Sequence, residues 1–188
     1  MKAVILTIDE NDKIFKFTRA NFIKNGFDPI TFVGKLESDK KLKSKIVMSN
    51  WDYYFKNEGK HITPPIVLSE DDISFEYIPD DLYDLPLKYP NKIIWLLYQK
   101  TYKKNKTDIP VGAQLIYIPT IDLLNRFKMD LDSSRKIHFD SWLYKSNYVV
   151  RPYPPKTKGR EITRYSNTLN RIRRGVALEE EMRMKNIR

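Results

Sequence analysis

Glu70, Asp71 and Asp72 stand together in the run Ile66-Val67-Leu68-Ser69-Glu70-Asp71-Asp72-Ile73. A short apolar run of this kind reads as a buried strand, and Pro64-Pro65 gives it a sharp start. The acids then fall at the strand's carboxyl end, where ligand crevices form in open α/β sheets. Three like charges at one place repel one another, and a divalent cation is the commonest remedy. Mg²⁺ and Mn²⁺ prefer hard oxygen ligands and also hold a substrate's phosphates. Side chains alternate along a strand, so Glu70 and Asp72 share one side and Asp71 takes the other. Asp72 is the expected direct metal ligand, with Glu70 as helper. The plainer alternative is a solvated acidic turn that caps the next helix.

A second group of residues is basic. From Arg151 to Arg188 there are eleven Lys/Arg against four Glu, a net +7 out of the chain's +10. A nearly balanced body with a basic end points to a catalytic core plus an element that faces a polyanion. Ile162, Tyr165, Leu169, Ile172 and Val176 recur at helical spacing. That pattern predicts a helix with Arg160, Arg164, Arg171 and Arg174 on its other face, set to contact phosphates. A solvated cationic face is the alternative.

The elements that must position these residues alternate. Residues 2–8 read as a buried strand, 11–25 as a helix with Gly26 at its C-cap position, and 29–33 as a second strand. Such spacing favours a parallel sheet with a right-handed crossover. A helix over 46–57 precedes the acidic strand. Residues 74–90 look irregular, and 93–98 and 111–118 read as strands around a charged loop over 99–108. Pro119 suits the first turn of a helix carrying Ile121, Leu124 and Phe127. Arg151-Pro152-Tyr153-Pro154-Pro155 stops regular structure and marks a boundary. Residues 1–150 are then the catalytic domain, and 151–188 a Pro-rich linker with a basic amphipathic helix.

The bulk numbers narrow the class. The 188 residues fit one domain or one domain with an appendage, and 41% hydrophobic residues suffice for a core. With no cysteine, disulfides and thiolate metal sites are excluded. No apolar stretch approaches the ~20 residues that cross a bilayer, and the N-terminal run is too short for a signal segment. A soluble cytoplasmic protein is the expectation, in a host's cytoplasm if the chain is viral.

The order of pieces resembles family 25 glycosyltransferases, the group with lipopolysaccharide-modifying and collagen galactosyltransferases. The pieces are Ser49 with Trp51, Glu70-Asp71-Asp72, Trp95, Gly112 to Tyr117, and Asp140 with Trp142 and Leu143. Asn50 follows Ser49 where that family has Cys and His, and Lys13 stands in for an expected Arg. The resemblance spans roughly residues 2–150. It implies an α/β fold of the A-type glycosyltransferase kind, a Rossmann-like mixed sheet flanked by helices. It further implies a nucleotide-sugar donor, a UDP-sugar being the leading choice, and Mn²⁺ or Mg²⁺ at Glu70 and Asp72, with Glu70 as helper to the metal or as sugar contact. Thr7, Ile8, Lys13 and Asp71 become donor-binding residues, the alternative for Asp71 being that it satisfies backbone or a neighbouring cation. Asp140 becomes the general base that takes the acceptor hydroxyl's proton, or else the cap of a helix starting at Ser141. His138 becomes a further metal ligand, against a structural role.

The expected activity is metal-dependent sugar transfer to a hydroxyl. DNA carrying a hydroxylated base is the sharpest acceptor, because a basic arm suits a duplex. A saccharide or lipopolysaccharide acceptor is the alternative within the class. A non-catalytic nucleic-acid-binding module is the rival outside it. A metal-dependent nuclease has less support, since no acid-x-Lys pairing lies near the triplet.

Overall fold

The computed structural model describes residues 1–35, 46–77, 79–102, 108–133, 139–152, 159–161, 164–166, 171–173 and 177–187. Strand β1 (Lys2–Thr7) is an apolar run with both faces covered. Helix α1 (Lys13–Lys24) starts where the Asp12 carboxylate accepts from the Ile14 N–H at 2.7 Å, satisfying a donor that the helix leaves open. Gly26 stops it with a φ of 79°, a left-handed conformation that costs glycine nothing. Strand β2 (Asp28–Val33) then lies parallel to β1, with Lys2 opposite Asp28. Helix α2 (Ile46–Asn57) leads to β3 (Ile66–Glu70), which pairs in parallel with the other side of β1.

Two short elements follow, β4 (Ile73–Phe75) and α3 (Leu85–Lys88). Strands β5 (Ile93–Tyr102) and β6 (Asp108–Ile118) form a long antiparallel pair. Helices α4 (Ile121–Ser133) and α5 (Phe139–Lys145) precede β7 (Val149–Val150), which lies parallel to β5. The main sheet has the order β2-β1-β3-β6-β5-β7. Only β6 runs against its neighbours, so the other five strands share one direction. This is the mixed, helix-flanked sheet that the resemblance implies.

Alternation along β1 and β3 sends side chains into two cores. Val4, Leu6, Ile66 and Leu68 meet α2, α4 and α5 on one face, whereas Ala3, Ile5 and Val67 meet α1 on the other. The first core is aromatic: Trp51, Phe55, Phe127, Phe139 and Trp142 pack at ring-centre separations of 5.3 to 6.3 Å. All three tryptophans carried by the resemblance, Trp51, Trp95 and Trp142, are buried in it. They are packing residues that hold the sheet to its helices. Each such side chain contributes about 1.5–3 kcal/mol by leaving water.

Burial, helped by Glu58, pushes the Tyr54 phenol up to about 12. Burial and a hydrogen bond to Asp130 move Tyr148 in the same direction. An unfolded tyrosine ionises near pH ~10, so above that pH the folded state keeps protons that the unfolded state releases. The stabilisation is complete below about pH 10 and is lost as pH rises toward the folded value. The urea midpoint should therefore hold steady from neutrality to about pH 9 and then drop. Tyr54→Phe should make that drop shallower, and an unchanged alkaline slope would show that Tyr54 is not its source.

The structure corrects two expectations. The charged loop over 99–108 is narrower, because β5 continues to Tyr102 and β6 begins at Asp108. The helix expected through Arg160, Arg164 and Arg171 is absent among the described residues. There the chain forms β8 (Gly159–Glu161), β9 (Arg164–Ser166) and β10 (Arg171–Arg173), and the helix, α6 (Leu178–Lys185), comes later. Strands β9 and β10 pair antiparallel with Tyr165 opposite Ile172. Arg-Tyr-Ser and Arg-Ile-Arg each alternate polar and apolar, a period-2 pattern. Aromatic and β-branched residues favour that extended form. Arg174 lies outside the described residues.

Candidate functional site

Parallel pairing of β1 with both β2 and β3 has a consequence for binding. From β1 the chain goes first to β2 on one side and then to β3 on the other. The carboxyl ends of β1 and β3 thus flank a topological switch point, where open α/β sheets form their ligand crevice. The residues there are Thr7 and Ile8 at the end of one strand and Glu70, Asp71 and Asp72 at the end of the other. The sequence placed both groups at strand ends, and the fold makes the two ends neighbours.

The ladder between β1 and β3 ends at Leu6 opposite Glu70. One step further, side chains carry on the register: Thr7 Oγ1 donates to Asp71 Oδ2 at 2.5 Å. Both residues are buried, Asp71 at 6% exposure. Helix α1 reinforces the same turn. Thr18 Oγ1 lies 2.9 Å from the carbonyls of both Asp71 and Ile73, and the Phe75 N–H donates to Asn21 Oδ1 at 2.9 Å. Asp71 therefore serves as a structural tie across the switch point, on the α1 side of the sheet.

Glu70 is half-buried, and Asp72, at 4% exposure, is buried together with its Oδ1 atom. Among the described residues, no three His, Cys, Asp or Glu groups gather as a metal site. Mg²⁺ needs less than that. It keeps waters and binds through one or two carboxylates plus substrate phosphates. Glu70 and Asp72 carry hard oxygen donors of the kind such an ion takes. They do not by themselves make a cage for a resident one.

Lys13 is the first residue of α1, at the β1 end of the crevice, and is exposed. Ile8 is exposed beside it. Asp140 is the second residue of α5, which begins at Phe139 and packs on β6. It thus lies inside the first turn and does not cap a helix starting at Ser141. The side chain of Asp140 and all of His138 lie outside the described residues.

Two connections were invisible in the sequence. Strand β8 pairs with β4, placing Arg160 opposite Ser74, two residues beyond Asp72. Helix α6 returns to the same strand: Ser74 Oγ donates to Glu181 Oε2, and Lys185 Nζ donates to the Phe75 carbonyl at 2.8 Å. The Lys24 ammonium also donates to the Lys185 carbonyl. Glu181 is buried at 2% exposure, a rare position for a carboxylate and one that requires partners. The basic C-terminal segment is in this way joined to the strand that follows the acidic turn. For the separate ties from α1 to the acidic turn, the polar Thr18/Asn21 pair on the buried face of α1 was an available signal.

No family model matches the chain, and no curated protein matches it. Among solved structures it is similar to the crystal structure of a glycosyltransferase involved in the glycosylation of the major capsid of PBCV-1. The identity is 10% and the TM-score 0.49, with 81% of each chain covered. Among the described residues, no helix is long and apolar enough to cross a membrane.

Proposed function

We propose that this chain is a glycosyltransferase that uses a nucleotide-sugar donor, with a UDP-sugar as the leading choice. The observation that carries the reading is the acidic turn Glu70–Asp72 at the β1/β3 switch point, locked by Thr7 and Thr18. The donor's diphosphate would lie between that turn and the start of α1, where the Lys13 ammonium favours anions. Glu70 and Asp72 would hold Mn²⁺ or Mg²⁺, which neutralises the departing diphosphate as a Lewis acid. Ile8 and the backbone beside Thr7 would meet the base and ribose. Asp140 would accept the proton of the attacking hydroxyl. A screen of nucleotide sugars with Mn²⁺ present tests the reading, by thermal shift and by donor hydrolysis. Absence of both responses for every sugar nucleotide would sink it.

The acceptor we favour is polyanionic, with DNA bearing a hydroxylated base as its sharpest form. Support comes from the register of β9 and β10, which sets Arg164 directly opposite Arg173, with Arg171 opposite Ser166. A polyanion would suit arginines placed at facing positions of a strand pair. Replacing Arg164, Arg171 and Arg173 with Gln should weaken duplex binding alike across sequences. Removal of each arginine–phosphate pair should flatten the log–log salt slope by about 0.9. Anisotropy at several salt concentrations reads this, and coincident slopes would leave the hairpin as a solvated face. A saccharide acceptor would then take precedence.

A further inference from the structure

Strand β2 is an edge of the main sheet, and its ladder with β1 ends at Val33 opposite Thr7. The backbone stays fixed for two more residues. The Gly34 N–H donates to the Thr7 carbonyl at 2.7 Å. Beyond it, the Asn50 side chain acts as a strand would: its Oδ1 accepts from the Lys35 N–H at 3.0 Å. Its Nδ2 donates to the Lys35 carbonyl at 3.2 Å. Asn50 lies buried within α2, where asparagine is a poor helix former and a buried amide must be bonded. The approach is close enough to dictate residue 34. A Cβ there would lie 2.5 Å from Asn50 Nδ2 and 2.9 Å from Leu6 Cδ1.

A glycine, a buried asparagine and three hydrogen bonds thus combine to hold one exposed lysine. The Lys35 ammonium sits 5.5 Å from the ring centre of Tyr53, itself 47% exposed. A cation over an exposed ring is weakly held, so an arriving anion can draw it away. The location matters as much. Gly34 bonds Thr7, and Thr7 bonds Asp71, so the backbone that carries Lys35 is tied through Thr7 to the acidic turn at the switch point. The acidic turn lies on the far side of Thr7 from it.

We propose that Lys35, in addition to Lys13, is a cation that meets the donor's diphosphate, and that Asn50 is the positioning residue that aims it. The inference rests on the nucleotide-sugar reading above. Lysine binds phosphate as a point charge on a flexible stem, so its reach is set by where its backbone is pinned. The clamp by Asn50 supplies that pin.

Calorimetric titration of uridine diphosphate with Mn²⁺ tests it, with guanosine diphosphate in a parallel arm and uridine as a phosphate-free competitor. Lys35→Gln should lose about tenfold or more in diphosphate affinity, the range for a hydrogen bond to a charged group. Uridine competition should be unchanged, and Lys35→Arg should recover most of the loss. Asn50→Ala should lose diphosphate affinity too. The double variant should be no weaker than the weaker single one, because both act through the same ammonium. Diphosphate affinity in Lys35→Gln equal to wild type would overturn the proposal while leaving the nucleotide reading intact. Full additivity of the two changes would overturn the positioning role of Asn50. Wild-type protein that binds neither diphosphate would overturn this inference and the nucleotide reading together. Should Asn50→Ala fail to fold, Lys35→Gln and Lys35→Arg decide the matter alone, since Lys35 is exposed.

Discussion

Asp72→Ala and Asp72→Asn should each lower Mn²⁺-dependent binding of a nucleoside diphosphate by about 100-fold or more, the upper end of losses seen when metal-site residues are altered. The expectation follows from the donor count at the crevice. Asp71 is bonded to Thr7 on the α1 side of the sheet, and Glu70 and Asp72 are the two acids proposed to hold the ion. Two carboxylates hold Mg²⁺ or Mn²⁺ well only when phosphate oxygens and water complete the shell. Ion and nucleotide should therefore bind together, each raising the other's affinity by one and the same factor. Manganese alone should bind weakly to wild type, and the diphosphate alone should bind weakly too. Asp72 is 4% exposed, so Asp72→Ala risks a stability loss that could be mistaken for a binding defect. Asp72→Asn keeps the shape, and a thermal melt of each variant separates the two effects. Equal diphosphate affinity in wild type and Asp72→Asn, with Mn²⁺ present, would remove the metal role from this residue.

How much of this was legible in the chain depends on the range over which each interaction acts. The β1–α1–β2 unit follows from local signals: an apolar strand, an Asp12 cap, a Gly26 stop and a second strand. The acidic turn was placed at a strand end for the same reason, since Ile66-Val67-Leu68 is a buried run. Its ties were not legible. Thr18 reaches a carbonyl 53 positions away, and Thr7 reaches a carboxylate 64 positions away. A single sequence carries no trace of such pairings beyond a polar residue on a buried face. Asn50 illustrates the cost of judging by resemblance alone. It stood as a departure from a family pattern, whereas in the fold it clamps the end of β2. The basic segment failed for another reason. Its apolar residues satisfy a helical spacing over 162–176, while its short stretches around Tyr165 and Ile172 satisfy strand alternation equally well. Periodicity alone does not separate the two when the elements are three residues long.

Asp140→Asn should lower turnover by about 100-fold or more while leaving donor affinity nearly unchanged, as expected when a general base loses its proton-accepting form. The substitution preserves size and hydrogen-bonding capacity, so the charge and the basicity are what is removed. Position gives a competing account to be tested against this one. Asp140 is the second residue of α5, and a carboxylate in a helix's first turn is stabilising without any chemistry, by roughly 0.3–1 kcal/mol. The two accounts differ in every readout. A helix-start role predicts a small drop in the urea midpoint, with turnover per folded molecule intact. A base predicts wild-type stability within that margin and a large fall in turnover. It also predicts a change in pH dependence. The acidic limb of the kcat/KM profile reports protonation of the essential base in the free enzyme, so it should vanish in Asp140→Asn. The measurement is kcat/KM across pH for both proteins, with the preferred nucleotide sugar and acceptor. Turnover near wild type with the acidic limb retained would return Asp140 to the helix-start role and leave the base to be sought elsewhere around the crevice.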